Sequence, residues 1–326
     1  MTFNLGSISS IPTYGEEKHV KVLVLGSGPA GLSAALYAAR AELYPVVLTG
    51  MELGGQASLT HTIENYPGFP DGVGGSELGD LFQRQAERFG AKVEFDTANS
   101  VDLSQRPYKV VSDNAVYFTE TLIVSTGARP NHLEIPGEVE LTGKGVSYCA
   151  TCDGWFFKDK QVVVVGGGDS ALEEALFLTR FASKVTIIHR RDSFRAGKVL
   201  QKRALQNPKI EIIWNTVVTE ANGKEKLTSL KIKNLATNDQ KEFVTDGLFV
   251  FIGHTPNTQM FVGQLEMDDL GTIISNKFME TNKPGIFVAG EVTDSHFRQV
   301  ITSAGMGAAA AIQATHFLEN EEFSVK

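Results

Sequence analysis

Cysteine is almost absent from this chain: two occur among 326 residues, at Cys149 and Cys152. So few thiols exclude a scaffold stapled by several disulfides and leave a pair that is redox-active, metal-binding or simply buried. Histidines offer no ligand pattern either. His19, His61, His132, His189, His254, His296 and His316 are scattered, and no two share a ligand spacing, so the other half of a structural zinc site is missing. No apolar run approaches the ~20 residues needed to cross a bilayer. A basic excess is absent as well: 30 Lys and Arg stand against 38 Asp and Glu, a formal net charge of −8. That balance argues against nucleic acid as a partner, because neutralising phosphates needs a basic surface. The N-terminus has neither the basic start nor the apolar stretch of a signal peptide, so a cytoplasmic protein is expected.

What is present is an ordinary globular composition, 42% hydrophobic and 21% charged. The length suits about two domains at ~150 residues each. The 32 glycines concentrate in loops. Residues 1–19 are polar, without periodicity, and read as a loose leader. Val20–Leu25 is a β-branched-rich run expected of a buried parallel strand. It runs into Gly26-Ser27-Gly28-Pro29-Ala30-Gly31 and an alanine-rich helix over Leu32–Arg40. In this G-x-G-x-x-G loop Gly26 allows the tight turn, Gly28 lets the backbone approach a pyrophosphate, and Gly31 lets helix and strand pack closely. Free N–H groups at the helix start then face the phosphate.

After the strand Pro45–Leu48, the nearest acid able to hold a ribose is Glu52, within the glycine-rich loop Thr49–Gln56 that includes Met51, Gly54, Gly55 and Gln56. A second such loop suggests a ligand extending past the first phosphates, as FAD does. Further strands are expected at Lys92–Phe95, Lys109–Ser112, Val116–Thr119 and Thr121–Ser125, the last stopping at Thr126-Gly127. The cysteine pair follows in Cys149-Ala150-Thr151-Cys152-Asp153. Two thiols at this spacing can close into a ring and hold or release two electrons. The competing readings are half of a zinc site and two core cysteines brought close by chance; the flanking motifs favour redox work.

The strand Gln161–Val165 feeds Gly166-Gly167-Gly168-Asp169-Ser170-Ala171 and a helix from Leu172 to about Arg180, a second nucleotide loop. The next strand, Lys184–Ile188, ends at His189-Arg190-Arg191, with Arg195 close behind. An acid at that strand end would hold the 2′-hydroxyl of NAD, whereas arginine accommodates a 2′-phosphate, so NADPH is expected. Gly285–Glu291 reads as a strand ending in a carboxylate, followed by Arg298-Gln299-Val300 and a helix over Ser303–Leu318.

This set of motifs resembles the low-molecular-weight, bacterial-type thioredoxin reductases of the class II pyridine nucleotide-disulfide oxidoreductases, from about Val20 to Leu318. The resemblance implies an α/β fold of two Rossmann-like (FAD/NAD(P)-binding) three-layer ββα domains, the second inserted into the first. After the leader 1–19, residues 20–129 and 256–326 would bind FAD and residues 130–255 NADPH. The resemblance also implies that Cys152 lies against the flavin, that Cys149 attacks the disulfide of thioredoxin, and that Asp153 is the general acid/base. FAD would be held by Gly26, Ser27, Gly28, Pro29, Ala30, Gly31, Met51, Glu52, Gly54, Gly55, Gln56, Asn65, Gly127, Glu291, Arg298, Gln299 and Val300. NADPH would be held by Gly166, Gly167, Gly168, Asp169, Ser170, His189, Arg190, Arg191 and Arg195. The family is homodimeric. This sequence departs from its pattern at Glu291, usually Asp, and at Val300, where Ala is common.

Chain order adds a mechanistic expectation. The cysteine pair and the second glycine loop share the inserted domain, while the flavin belongs to the other. Rotation about the segments Thr126–Gly137 and Ile252–Asn257 would let electrons pass from NADPH to FAD in one pose, and from FAD to the cysteine pair in the other. Two rival functions are a related flavin disulfide reductase using ferredoxin or another acceptor, and a non-catalytic NADPH-sensing flavoprotein.

Overall fold

The computed structural model describes residues 15–60 and 62–324; most of the expected leader, residues 1–14, lies outside the described residues. The chain divides into two compact units. One comprises the chain up to Ala57, Leu78–Gly127 and everything from Asn257; the other comprises Ser58–Glu77 and Ala128–Pro256.

The first unit is built on a 7-stranded sheet. Lys92–Glu94, Val46–Leu48, Glu16–Leu25 and Ala115–Val124 lie side by side and parallel. The upper half of Ala115–Val124 pairs in parallel with Ile286–Val288, and its lower half pairs antiparallel with Tyr108–Ser112, beyond which lies Ala98–Asp102. Alternation divides the core between two faces. Val22, Val24, Ile123 and Phe287 meet the alanines of the helices Pro29–Arg40 and Val300–Ser324, while Leu23, Leu25, Leu122 and Val288 meet Tyr108, Val110 and Phe261 on the other side.

Two sequence expectations change here. Glu16–His19, expected as loose leader, extend the first strand and pair with Ala115–Phe118. The strands expected at Val116–Thr119 and Thr121–Ser125 are one continuous strand, Ala115–Val124.

The second unit has a 5-stranded parallel sheet in the order Ile210–Ile213, Lys184–Ile188, Gln161–Gly166, Gly247–Phe251, Val146–Ser147. Val162, Val164 and Phe249 pack against Ala171, Leu172, Ala175 and Leu178 of the helix Asp169–Leu178. On the opposite face Val163, Leu248 and Val250 meet Val218, Leu230 and Ile232 of a 3-stranded antiparallel sheet. Helix, parallel sheet and antiparallel sheet make three layers around two hydrophobic cores. Next to the crossings after Gly127 and before Asn257 the chain runs antiparallel, with Ala128–Pro130 paired to His254–Pro256.

Candidate active site

In the first unit the candidate residues gather at the carboxyl ends of neighbouring strands, where open α/β sheets bind ligands. Glu16–Leu25 ends in Gly26, whose φ of +102° favours glycine and where a Cβ would lie 2.3 Å from the Ser125 carbonyl oxygen. The helix begins at Pro29, not at Leu32, with Gly28 as its N-cap and no side chain capping it. Its first-turn N–H groups are therefore left for a ligand. A Cβ on Gly28 would meet nothing within 4 Å, so the backbone is open to approach, while one on Gly31 would lie 1.9 Å from the Gly26 carbonyl oxygen. Ser27 is buried and faces inward: its Oγ is 3.1 Å from the carbonyl oxygens of both Thr49 and Glu52, and Gly54 N–H donates to the Ser27 carbonyl. The two glycine loops of this unit are thus tied together. Met51, Glu52 and Gln56 are exposed, and Gly127 has φ +68° with no atom within 4 Å of a built Cβ.

Ile286–Val288 brings Glu291 to the same edge, since Ala289 N–H donates to the Val124 carbonyl. The Glu291 carboxyl is largely buried, and no hydrogen bond to it is present among the described residues. Burial holds its pKa above the ordinary range; Arg298 pulls it down and Asp294 pushes it up. Asp294, which sequence reasoning missed, accepts from the backbone N–H groups of His296, Phe297 and Arg298 at 2.9, 2.9 and 3.1 Å. It thereby fixes the turn that delivers Arg298 and Gln299 to the start of the helix at Val300. Its only sequence signal was an Asp opening a polar turn. Asn65 is exposed in the Ser58–Glu77 segment, which groups with the second unit.

In the second unit Gly168 is the N-cap of Asp169–Leu178, again without a side-chain cap and with open space in front of it. This helix too starts inside the motif, three residues before Leu172. Asp169 Oδ1 accepts from Gly197 N–H at 2.7 Å, and Arg195 N–H donates to the Gly167 carbonyl at 2.8 Å, so the basic loop is laced onto the glycine loop. Ser170 is exposed on the first turn. Arg190, Arg191 and Arg195 are exposed, whereas His189 is buried beneath Gly167, where a Cβ would lie 2.2 Å from the imidazole. Burial, with Arg191 and Arg195 nearby, keeps the His189 pKa below its ordinary value.

Two strands away on the same sheet, Val146–Ser147 ends in the cysteine pair, so glycine loop and cysteines share one end of the sheet. Cys149 and Cys152 are joined as a disulfide, with Cys149 at the N-cap of the short helix Ala150–Asp153. Sulfurs bonded to each other are not thiolate metal ligands, and no group of metal-binding side chains occurs among the described residues. Asp153 is partly buried, and burial raises its pKa while a hydrogen bond from Ser147 lowers it. Ser147 and its neighbour Tyr148 carried no sequence signal. Tyr148 donates to the buried Glu138 carboxylate at 2.9 Å, and its hydroxyl lies 2.8 Å from His132 Nδ1. Glu138 also accepts from Leu133 N–H at 2.8 Å, which fixes the loop beside the strand carrying the cysteines.

Comparison with known proteins gives a consistent answer. The pyridine nucleotide-disulphide oxidoreductase family matches residues 20–307. A thioredoxin reductase of Rickettsia felis is 50% identical over 303 residues, spanning 91% of this chain and 98% of that one. Among solved structures, the thioredoxin reductase of Streptococcus pyogenes is 41% identical with a TM-score of 0.89, covering 93% of this chain and 99% of its own. That of Lactococcus lactis, captured in a conformation designated FR, is 40% identical with a TM-score of 0.63, covering 92% and 99%.

Proposed function

We propose that this chain, which belongs to the pyridine nucleotide-disulphide oxidoreductase family, reduces the disulfide of thioredoxin with electrons taken from NADPH and passed through FAD to Cys149–Cys152. The family implies a flavin and a pyridine nucleotide; FAD and NADPH are the members that these residues fit. The observation that carries the reading is the Cys149–Cys152 disulfide at the same sheet end as an uncapped glycine loop and three exposed arginines.

The first unit suits FAD. Gly28 and Gly127 leave open approaches, the helix at Pro29 offers uncapped N–H groups to a pyrophosphate, and Glu291 presents a carboxyl that ligand hydroxyls can satisfy. The second unit suits NADPH. Gly168 and the Asp169–Leu178 helix start receive the pyrophosphate, Arg190, Arg191 and Arg195 the 2′-phosphate, and His189 supports Gly167 from below. When bound, the two cofactors supply the pair of electrons that opens the disulfide. Cys149 then attacks the client disulfide, Cys152 displaces the product, and Asp153 gives and takes the proton at sulfur. Burial suits Asp153 to that task, because a carboxyl pushed upward keeps its proton nearer neutral pH.

Rotation of the inserted unit about the crossings next to Gly127 and Pro256 alternates the two half-reactions. Support comes from two relatives of near-equal identity that superpose so unequally, which means that they differ from one another in shape. We further propose a cytoplasmic homodimer on the resemblance alone; no helix among the described residues is long and apolar enough to cross a membrane.

The experiment is to load the purified chain with FAD and assay thioredoxin reduction with NADPH and NADH side by side. NADPH is expected to drive turnover far better than NADH. Cys149→Ser and Cys152→Ser are each expected to abolish thioredoxin reduction while flavin bleaching by NADPH persists. Undiminished thioredoxin turnover in either variant would remove the cysteine pair from the reaction.

A further inference from the structure

We infer that Ser147 is a positioning residue for proton transfer at the cysteine pair, clamping the Asp153 carboxyl and the Cys149 backbone from one buried hydroxyl. The inference rests on the redox reading above.

Ser147 closes the short edge strand Val146–Ser147 and is buried. Its Oγ accepts from the Cys149 N–H at 3.1 Å and lies 2.6 Å from Asp153 Oδ2. A hydroxyl has a single proton to donate. The Cys149 carbonyl is farther from Oγ, at 3.3 Å, and already accepts the Asp153 N–H at 3.1 Å, so the Ser147 proton goes to the carboxyl. One side chain therefore grips both ends of the turn that carries the disulfide. Two consequences follow. The carboxyl is held in one place relative to the sulfurs, and a donated hydrogen bond favours its charged form, opposing the upward push of burial. Burial is the larger of the two influences and the Ser147 hydrogen bond the opposing one; the charged groups on the elements packed around the turn are Lys158 beyond it and Glu173 and Glu174 on the Asp169–Leu178 helix. Ser147 thus sets both the place of the acid and the pH at which it releases its proton.

The test isolates the disulfide step. In the flavin-loaded protein, excess dithiothreitol reduces Cys149–Cys152. A reductant thiolate attacks one sulfur, the S–S bond breaks, and the departing sulfur takes the Asp153 proton. The reductant's second thiol then attacks its own bonded sulfur and displaces the remaining protein sulfur, which takes up a proton, leaving a protein dithiol and a cyclic reductant disulfide. Rates are read by alkylating the new thiols across a pH series, each variant as a ratio to the parent, which cancels the reductant's own ionisation. Asp153→Asn should remove the limb that Asp153 creates. Ser147→Ala should lower the plateau, by at most the ~100-fold at the low end of what a positioned general acid contributes. It should also move the limb upward by about one pH unit, the scale of one hydrogen bond lost to a charged group. Ser147→Thr, which keeps the hydroxyl, should restore the position of the limb. A Ser147→Ala profile matching the parent, or a lowered plateau with an unmoved limb, overturns the clamp while leaving Asp153 as the acid. An unaltered Asp153→Asn profile overturns the acid assignment and the clamp together. Neither result touches the requirement for the cysteines in thioredoxin reduction.

Discussion

Arg190 and Arg191 stand exposed at the end of a strand whose last core residue, Ile188, is fully buried. Among the described residues neither guanidinium forms an ion pair, which leaves both open to a ligand. Replacing both by alanine should raise the KM for NADPH by about tenfold or more, the scale of losing charge-assisted hydrogen bonds to a phosphate, with little effect on the KM for NADH. Equal effects on the two coenzymes would remove the phosphate from the argument. Glu291 makes a different prediction. Its raised pKa means that the folded chain binds this proton more tightly than the unfolded chain does. The native state therefore gains stability as pH falls through the raised value and loses it as pH rises. In flavin-free protein Glu291→Gln should raise Tm at pH 8, by roughly 2–4 °C for each kcal/mol recovered, and the gain should shrink as pH falls toward the ordinary carboxylate value of 4.5. A gain unchanged with pH would mean that the carboxyl is not strained by burial. These residues were legible in sequence because each sits at a fixed offset from a glycine loop or a strand end. Ser147 and Asp294 were not, because their partners, Asp153 and the N–H groups of residues 296–298, become neighbours only once a turn has closed.

At the scale of elements, the helix proposed to open the FAD site is held by another from the far end of the chain. Pro29–Arg40 packs on Val300–Ser324 through small residues, and a Cβ at Gly307 would lie 2.0 Å from the Ala30 carbonyl oxygen. Gly307→Ala gains about 1 kcal/mol of helix propensity but forces backbone apart, a cost of typically 1–3 kcal/mol. The clash is with backbone, which cannot swing aside, so the cost should win. Tm should fall, and the ratio of flavin to protein absorbance in the purified protein should fall with it, because Ala30 lies in the loop proposed to hold FAD. A lower Tm with full flavin content would separate this packing from the cradle. The same contrast explains which elements the sequence disclosed. Val22–Leu25 and Val162–Val165 announce themselves because both faces are buried in apolar residues. Glu16–His19 and the edge strand Ala98–Asp102 do not. Their residues are mostly exposed and polar, and their strand character comes from pairing with Ala115–Phe118 and Lys109–Ser112.

For the whole molecule, the question is which unit answers to which cofactor and whether one must turn for both to be used. A ligand that binds only the folded state stabilises by about 2.7 kcal/mol at a hundredfold excess over Kd, and the protection should fall on the unit that holds it. Hydrogen exchange should therefore show FAD slowing amides around Gly26–Gly31, Gly127 and Ala289–Glu291, and NADPH slowing those around Gly166–Ser170 and Arg190–Arg195. Protection by NADPH on the first set would reassign the units. Rotation adds a kinetic consequence. Turning a unit of this size displaces solvent, so where the motion limits turnover, kcat should fall in proportion to the viscosity set by a small co-solute such as sucrose. The dithiothreitol reduction of Cys149–Cys152, which needs no rotation, should keep its rate in the same solutions once its bimolecular encounter is far below the diffusion limit. If kcat is indifferent to viscosity, the turning of the inserted unit is not what sets the pace, and a chemical step must be.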